Sequence, residues 1–162
     1  MANKWRLACG MALVMVFVLA ACKPRATTTA GQFGKAFSKA DTLWACKVDG
    51  YPTPGAEQRK DLRYLHGYEV KEVHPLLATE IDAVKAALLD SLTFDMAAVK
   101  SCPMVAQYAV AVRKNGRSPV ALVLSPSPCG KALLFDKQHA ENPVSMELRP
   151  GNKLEGILAG IW

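Results

Sequence analysis

Apolar and polar residues alternate over several stretches of the chain, and these stretches predict strands. Residues 42–51 predict a strand that ends in an Asp-Gly turn, and a loop with two prolines follows it. Residues 64–73 predict a second strand, in which Tyr68 and Val70 alternate with charged side chains. Residues 131–135 predict a further short strand. The pattern is therefore that of a chain with several short strands.

A hairpin is predicted near the middle of the sequence. Residues 107–112 and 120–124 are rich in valine, alanine and leucine, and a polar segment separates them. That segment contains Asn115 and Gly116, and an Asn-Gly pair is the strongest short signal for a β-hairpin turn. We therefore expect these two runs to pair in an antiparallel ladder.

Helical spacing of apolar residues is clearest over residues 79–90. Thr79 is in position to act as the N-cap, and Asp82 stands three residues later, as in a capping box. A second helical turn is predicted over residues 94–100, and an apolar helix over residues 153–162.

These elements predict the fold class and the division of the chain. We expect an α+β fold, with an antiparallel sheet around a central β-hairpin and with two or three helices covering one face. Residues 1–21 are interpreted as a leader, residues 22–40 as a tether rich in Thr, Ala, Gly and Lys, and residues 41–162 as a single domain.

The leader has the layout of an export signal. Lys4 and Arg6 form a short basic start, and residues 7–20 are almost entirely apolar. A permanent transmembrane helix is the alternative, but this apolar stretch has only about 14 residues, whereas a span needs about 20. The sequence therefore predicts export.

The end of the leader resembles the lipobox of bacterial lipoproteins. The four residues are Leu19, Ala20, Ala21 and Cys22. The resemblance implies cleavage before Cys22 and attachment of lipid to its thiol, whereas ordinary cleavage at a small-residue site would leave a soluble protein. In that family an Asp after the cysteine retains the product at the inner membrane. Lys23 stands there instead, which implies the periplasmic face of the outer membrane.

Composition and charge narrow the class of protein. Hydrophobic residues make up 51% of the chain and charged residues 21%, which is typical of a globular protein. The formal net charge is +6, and removal of the two basic residues of the leader leaves +4. The remaining basic residues are scattered and are not interleaved with aromatic residues, so no nucleic-acid partner is expected.

Three cysteines remain after Cys22, and an oxidising compartment favours pairing between two of them. Cys46, Cys102 and Cys129 allow three pairings. The Asn-Gly turn places Val112 opposite Pro119, and the same register places Cys102 opposite Cys129. This register favours a Cys102–Cys129 disulfide, although the prolines near both cysteines interrupt the ladder before it reaches them. Cys46 then remains outside the bond.

A search for chemistry gives no catalytic, cofactor-binding or metal-binding residue. The chain has no nucleophile elbow, metalloprotease motif, Cys-x-x-Cys pair or phosphate-binding glycine loop. His66 and His74 are eight residues apart, which fits neither a helical metal pair nor a zinc finger, and His139 is isolated. We interpret Cys46 as a buried small apolar residue, with a nucleophilic thiol as the alternative.

A broader resemblance concerns residues 65–162. Their Gly67-Tyr68-Glu69-Val70 strand, capped helix and cysteine-flanked hairpin resemble a loose group of small uncharacterised bacterial lipoproteins and other exported proteins. In size, address and disulfide the chain is also similar to periplasmic immunity proteins and lysozyme inhibitors. This likeness implies a protein-binding module whose partner is a toxin or an envelope protein, such as a cell-wall-degrading enzyme. The alternatives are a structural subunit of an envelope complex and a small envelope hydrolase.

Overall fold

The computed structural model describes residues 37–40, 42–56, 63–95, 101–114, 117–137 and 139–162, with the side chains of 113, 114 and 117–119 left aside. Within these residues an antiparallel sheet of eight strands dominates, in the order β2-β3-β1-β5-β6-β7-β8-β4. The strands are β1 (Leu43–Val48), β2 (Tyr64–Leu65), β3 (Tyr68–Pro75), β4 (Phe94–Asp95), β5 (Tyr108–Lys114), β6 (Arg117–Ser125), β7 (Lys131–Phe135) and β8 (Val144–Leu148).

Two short helices contribute to the core on one side of the sheet. They are α1 (Ala78–Leu89) and α2 (Lys153–Gly160). Their buried side chains join those of the central strands in one apolar cluster, which includes Val84, Leu88, Val110, Leu122, Leu134, Met146, Leu154 and Leu158. Neither helix, within the part of the chain that the structure describes, is long and apolar enough to cross a membrane.

A second apolar cluster lies on the other side of the sheet. It alternates with the first cluster along β5 and β6, and its members include Cys46, Leu65, Tyr68, Ala109, Ala111, Ala121, Val123 and Phe135. The imidazole of His66 stacks on Phe135 at 4.4 Å between ring centroids. Because successive residues of a strand point to opposite faces, a strand such as β6, apolar at consecutive positions, requires cover on both faces.

The predicted α+β fold, with one face covered by two or three helices, is therefore wrong. The helical spacing in the sequence led us to expect helices as a main part of the fold, whereas the described residues form mostly an eight-stranded antiparallel sheet with two short helices. Three of the eight strands were not predicted as separate strands. The single strand predicted over residues 64–73 is divided by the turn at His66 and Gly67 into β2 and β3. Phe94 and Asp95 form β4 where a helical turn was predicted, while residues 96–100 lie outside the described residues. β8 has three apolar residues at alternate positions, but this pattern is too short to stand out.

The predicted hairpin is present, but its register differs. The structure places Val112 opposite Val120, one residue beyond the predicted Pro119, and Lys114 opposite Arg117. The change arises from an irregularity between Val112 and Lys114, where one strand accommodates an extra residue. A single-residue bulge of this kind leaves little trace in the hydrophobic pattern, so the sequence did not reveal it.

The beginning of α1 also differs from the prediction. Leu77 rather than Thr79 is the N-cap, and the Glu80 carboxylate accepts a hydrogen bond of 2.7 Å from the Leu77 backbone N–H. Glu80 stands three residues after the cap, so its carboxylate, rather than that of Asp82 as predicted, accepts a hydrogen bond from the N-cap backbone. Before β1, Phe37 and Ala40 belong to the segment that the sequence led us to interpret as a tether. Both residues are buried in the core.

Candidate binding surfaces

The predicted disulfide is confirmed. Cys102 and Cys129 are bonded, with 6.0 Å between their Cα atoms. They do not face each other in the hairpin ladder, because β5 begins at Tyr108 and β6 ends at Ser125. The bond instead joins the segment before β5 to the turn between β6 and β7, and Lys131 donates a hydrogen bond of 2.5 Å to the Cys102 carbonyl in the same place. The pairing was thus correct, but the register used to predict it was not.

The other candidate residues lie apart. His66 is in the turn between β2 and β3, His74 is on β3, and His139 lies 2.8 Å from the Asp136 carboxylate after β7. Cys46 is buried in the second apolar cluster and is not part of the disulfide, and Cys22 lies outside the described residues. In the described part of the chain no group of three His, Cys, Asp or Glu side chains is arranged to hold a metal ion.

The first candidate surface is a loop that follows β1. All five of its residues, 51–55 (Tyr-Pro-Thr-Pro-Gly), are exposed, and they stand between the buried residues Val48 and Ala56. We name this segment the Tyr51 loop. Tyr51 has 63% of its surface exposed, which is unusual for a large aromatic side chain. An exposed aromatic ring on a short projecting segment is available for contact with another molecule.

Backbone hydrogen bonds hold the Tyr51 loop at its beginning, middle and end. The Gly50 carbonyl accepts from the Ala106 N–H at 2.8 Å, Thr53 donates to the Gly67 carbonyl at 2.8 Å, and Ala56 donates to the Thr53 carbonyl at 3.0 Å. Two prolines restrict the backbone between these points. The loop is therefore exposed in its side chains but fixed in its backbone.

The turn that receives Thr53 is itself constrained. His66 and Gly67 both have positive φ angles, of 50° and 91°, as in the type I′ turn that joins two strands most tightly. Histidine, like asparagine and aspartate, is one of the non-glycine residues that adopt a positive φ more often than most, and the imidazole of His66 stacks on Phe135. This stacking holds the turn, and with it the Gly67 carbonyl, against the second apolar cluster.

Three charged side chains lie at the base of the Tyr51 loop. The Lys71 ammonium is 2.9 Å from Glu69 and 3.2 Å from Asp49. The hydrogen bonds from Lys71 and from the Gly50 N–H hold the pKa of Asp49 below its usual value of 3.8. In turn, the carboxylates of Glu69 and Asp49 raise the pKa of Lys71. Asp49 and Lys71 are therefore both charged at neutral pH.

The second candidate surface surrounds Trp162. The Lys47 ammonium lies 4.7 Å from the centre of the indole, and the His74 imidazole meets the indole edge-on at 6.0 Å between centroids. Glu72 is 3.1 Å from the Lys47 ammonium, and Glu80 is 3.3 Å from His74 Nε2. We name these five side chains the Trp162 patch. Each of them is partly exposed, so the patch is a continuous polar surface around an aromatic ring.

Sequence reasoning identified neither surface as a binding site. The Tyr51 loop was predicted as a loop from its prolines, but its exposure and its hydrogen bonds depend on Gly67 and Ala106, which are distant in sequence. The Trp162 patch joins β1, β3, the start of α1 and the residue two positions after α2. The only indication in the sequence was the presence of Tyr51 and Trp162, because tyrosine and tryptophan are frequent in binding hot spots.

Comparisons with known proteins give no family for this chain. No family model matches it, and neither a curated protein nor a solved structure matches it either.

Proposed function

We propose that this chain is a membrane-anchored envelope lipoprotein that binds a protein partner through the Tyr51 loop. The sequence supports the anchor through its leader and Cys22. The observation that carries the binding function is the combination of an exposed Tyr51 with a backbone that three hydrogen bonds hold in place. The proposed partner is an envelope enzyme or toxin, with inhibition of a cell-wall-degrading enzyme as the leading case.

A fixed loop suits this function for an entropic reason. Association costs about 0.5–1.5 kcal/mol for each flexible side chain that becomes ordered, and loop ordering adds further cost. The backbone of residues 51–55 is ordered before binding, so this cost is small. Tyrosine adds a large contact area at the cost of only two side-chain torsions. The Tyr51 loop is therefore preorganised for insertion of the Tyr51 ring into a concave surface.

The same features favour a cleft over a broad, flat interface. The loop residues are uncharged, while Asp49, Glu69 and Lys71 lie at its base. An uncharged projection with a charged rim matches the usual anatomy of an interface, in which the desolvated centre lacks charge. A structural subunit would instead present a wide apolar patch. The exposed large apolar residues of the described chain are Tyr51, Val73, Leu77, Leu89, Leu92 and Trp162, and of these only Tyr51 lies on the Tyr51 loop.

The test uses the full lipidated protein and its Tyr51→Ala variant. A partner captured from a detergent-solubilised envelope is identified, purified and titrated against both proteins. We expect Tyr51→Ala to weaken binding at least about tenfold, as is typical of an aromatic hot spot. If the partner is a wall-degrading enzyme, the wild-type chain also inhibits its activity on purified cell wall, and the variant inhibits correspondingly less.

Leu92→Ala is the matched control, because Leu92 is 64% exposed and lies on a different element. It should bind the partner as the wild type does. Equal affinity of the wild-type and Tyr51→Ala proteins would refute the role of the loop. Loss of binding in both variants, with both still folded, would indicate a broad interface and favour a structural subunit instead.

A further inference from the structure

Two exposed leucines lie close together where α1 ends. Leu89 is the last residue of α1 and has 51% of its surface exposed, and Leu92, in the turn that follows, has 64% exposed. Hydrogen bonds close this turn, since the Thr93 N–H donates to the Asp90 carbonyl at 3.0 Å and the Thr93 hydroxyl donates to the Ala87 carbonyl at 2.6 Å. The backbone therefore holds both leucines at the surface in a fixed arrangement.

Basic residues adjoin the two leucines. Arg149 is exposed, and its backbone N–H donates to the Thr93 carbonyl at 3.0 Å, beside Leu92. The Lys153 side chain is 79% exposed, and its ammonium is 3.9 Å from the Asp90 carboxylate. The surface thus combines apolar groups with an excess of basic groups. We name it the α1-end patch, and it consists of Leu89, Leu92, Arg149 and Lys153.

The chain enters the domain next to this part of α1. Lys85, one helical turn before Leu89, donates a hydrogen bond of 3.4 Å to the Ser38 carbonyl. Phe37 is buried in the apolar cluster to which α1 contributes. Cys22 is 15 positions before Phe37, and an extended chain of this length spans at most about 55 Å. Lipid on Cys22 would therefore keep the α1-end patch within reach of the bilayer.

A phospholipid bilayer matches the chemistry of the patch. The interfacial layer of a bilayer accepts apolar side chains, and lipid phosphates attract ammonium and guanidinium groups. We propose that the α1-end patch is a membrane-docking surface, in which the two leucines enter the interfacial layer while Arg149 and Lys153 contact lipid phosphates. The proposal rests on the lipid anchor of the proposed function, but not on the Tyr51 loop.

The small size of the patch favours a bilayer over a protein as its occupant. A stable protein interface buries about 1,200–2,000 Å² in total, which is far more than two leucines and two basic residues supply. Docking on a membrane requires less intrinsic affinity, because the anchor keeps the patch at a high effective concentration near the lipid.

Docking in this way leaves the Tyr51 loop accessible. The α1 helix contributes to the apolar cluster on one side of the sheet. The Thr53 N–H of the loop donates to Gly67, in the turn that stacks on Phe135 of the second cluster, on the other side. A bilayer in contact with the end of α1 therefore lies across the sheet from Tyr51, which remains open to a protein partner.

The test uses the mature lipidated chain, labelled with ¹⁵N, in nanodiscs of phosphatidylethanolamine and phosphatidylglycerol that contain a gadolinium-chelating lipid. Gadolinium broadens the NMR signals of nearby groups. We expect the amide signals of Leu89, Leu92 and Lys153 to broaden more than that of Tyr51. Co-purification of the chain with the nanodiscs is measured separately, and it reports the anchor alone.

The double variant Leu89→Ser, Leu92→Ser should lose the difference in broadening between Lys153 and Tyr51. Leu77→Ser is the matched control, because Leu77 is 66% exposed but lies at the opposite end of α1, and it should keep this difference. Since these side chains are exposed, the variants are expected to fold.

Three outcomes would refute the docking surface. If the wild-type chain co-purifies with the nanodiscs but broadens uniformly, or most strongly at Tyr51, the anchor stands and the docking surface does not. If the chain does not co-purify, the anchor is refuted together with the docking surface. Concentration-dependent shifts of Leu89 and Leu92 in the absence of lipid would assign the patch to contact between two copies of this chain instead.

Discussion

At the scale of single residues, burial and local hydrogen bonds decide how side chains behave. Tyr68 is only 3% exposed in the second apolar cluster, and desolvation raises the pKa of its phenol. Asp49 and Lys71 have shifted pKa values for a different reason, since they are exposed and paired with each other. Because water screens such exposed pairs, we expect them to orient the base of the Tyr51 loop more than they stabilise the fold.

Because the pKa of Tyr68 is raised in the folded protein, we expect the free energy of unfolding to decrease at alkaline pH. In the unfolded chain Tyr68 ionises near its ordinary pKa of 10.0, while the folded chain keeps its proton to higher pH. The unfolded state therefore binds fewer protons between these two pKa values, and the free energy of unfolding falls as pH rises above about 10. The slope for one proton is at most about 1.4 kcal/mol per pH unit.

Urea denaturation of the wild type and Tyr68→Phe between pH 8 and pH 12 measures this effect. The variant should lose less stability than the wild type above pH 10, because it has no phenol to ionise at this position. Tyr51→Phe is the control, since Tyr51 is exposed, and it should follow the wild type. Parallel curves for the wild type and Tyr68→Phe would show that the ionisation of Tyr68 does not oppose folding.

At the scale of elements, connections between strands carry the candidate surfaces. The Cys102–Cys129 bond fixes the segment before β5, and Ala106 of that segment donates to Gly50 at the start of the Tyr51 loop. The turn that contains Cys129 is also tied to α2, since the Ser127 N–H donates to Glu155 at 3.1 Å. One covalent bond thus links two loops and, through the second loop, a helix.

Removal of this disulfide should lower stability without changing the fold of the sheet. The two cysteines are 27 residues apart, and a loop of this length corresponds to about 3.5 kcal/mol in the chain-entropy model. We expect the double variant Cys102→Ser, Cys129→Ser to lose about this much in urea denaturation. Reduction with dithiothreitol should destabilise the wild type similarly and leave the double variant unchanged. A double variant as stable as the oxidised wild type would contradict the prediction.

At the scale of the whole molecule, the sheet has an apolar cluster on each side. The proposed lipid anchor, in turn, determines the membrane at which the molecule acts. The two helices contribute to one cluster, while His66, stacked on Phe135, and Ala106 contribute to the other. A domain held by lipid on Cys22 reaches only partners near the membrane. The proposed binding of an envelope protein by the Tyr51 loop is compatible with such an address.

The anchor is tested by replacing Cys22. Wild-type cells fed with a palmitate analogue should label the protein and keep it in the membrane fraction, because each buried methylene contributes about 0.8 kcal/mol. Cys22→Ala should abolish both the label and the membrane association. Cys46→Ala is the control and should keep both, since Cys46 is buried in the domain. Retained labelling in Cys22→Ala would exclude this residue as the lipid attachment site.

The sequence by itself determined those features that depend on neighbouring residues. Local apolar spacing was sufficient for β1, β7, α1 and the central hairpin, whose turn depends on adjacent Asn and Gly residues. The cysteine pairing was also predicted, although through a register that the bulge before Lys114 changes.

Only the tertiary structure decided the size of the sheet and the position of both surfaces. β4 has two residues, and its strand conformation depends on pairing with β8 rather than on its own sequence. The Tyr51 loop depends on hydrogen bonds to Gly67 and Ala106, and the Trp162 patch brings together residues 47 and 162. Contacts between residues so distant in sequence arise from the packing of elements, and local propensity carries no information about them.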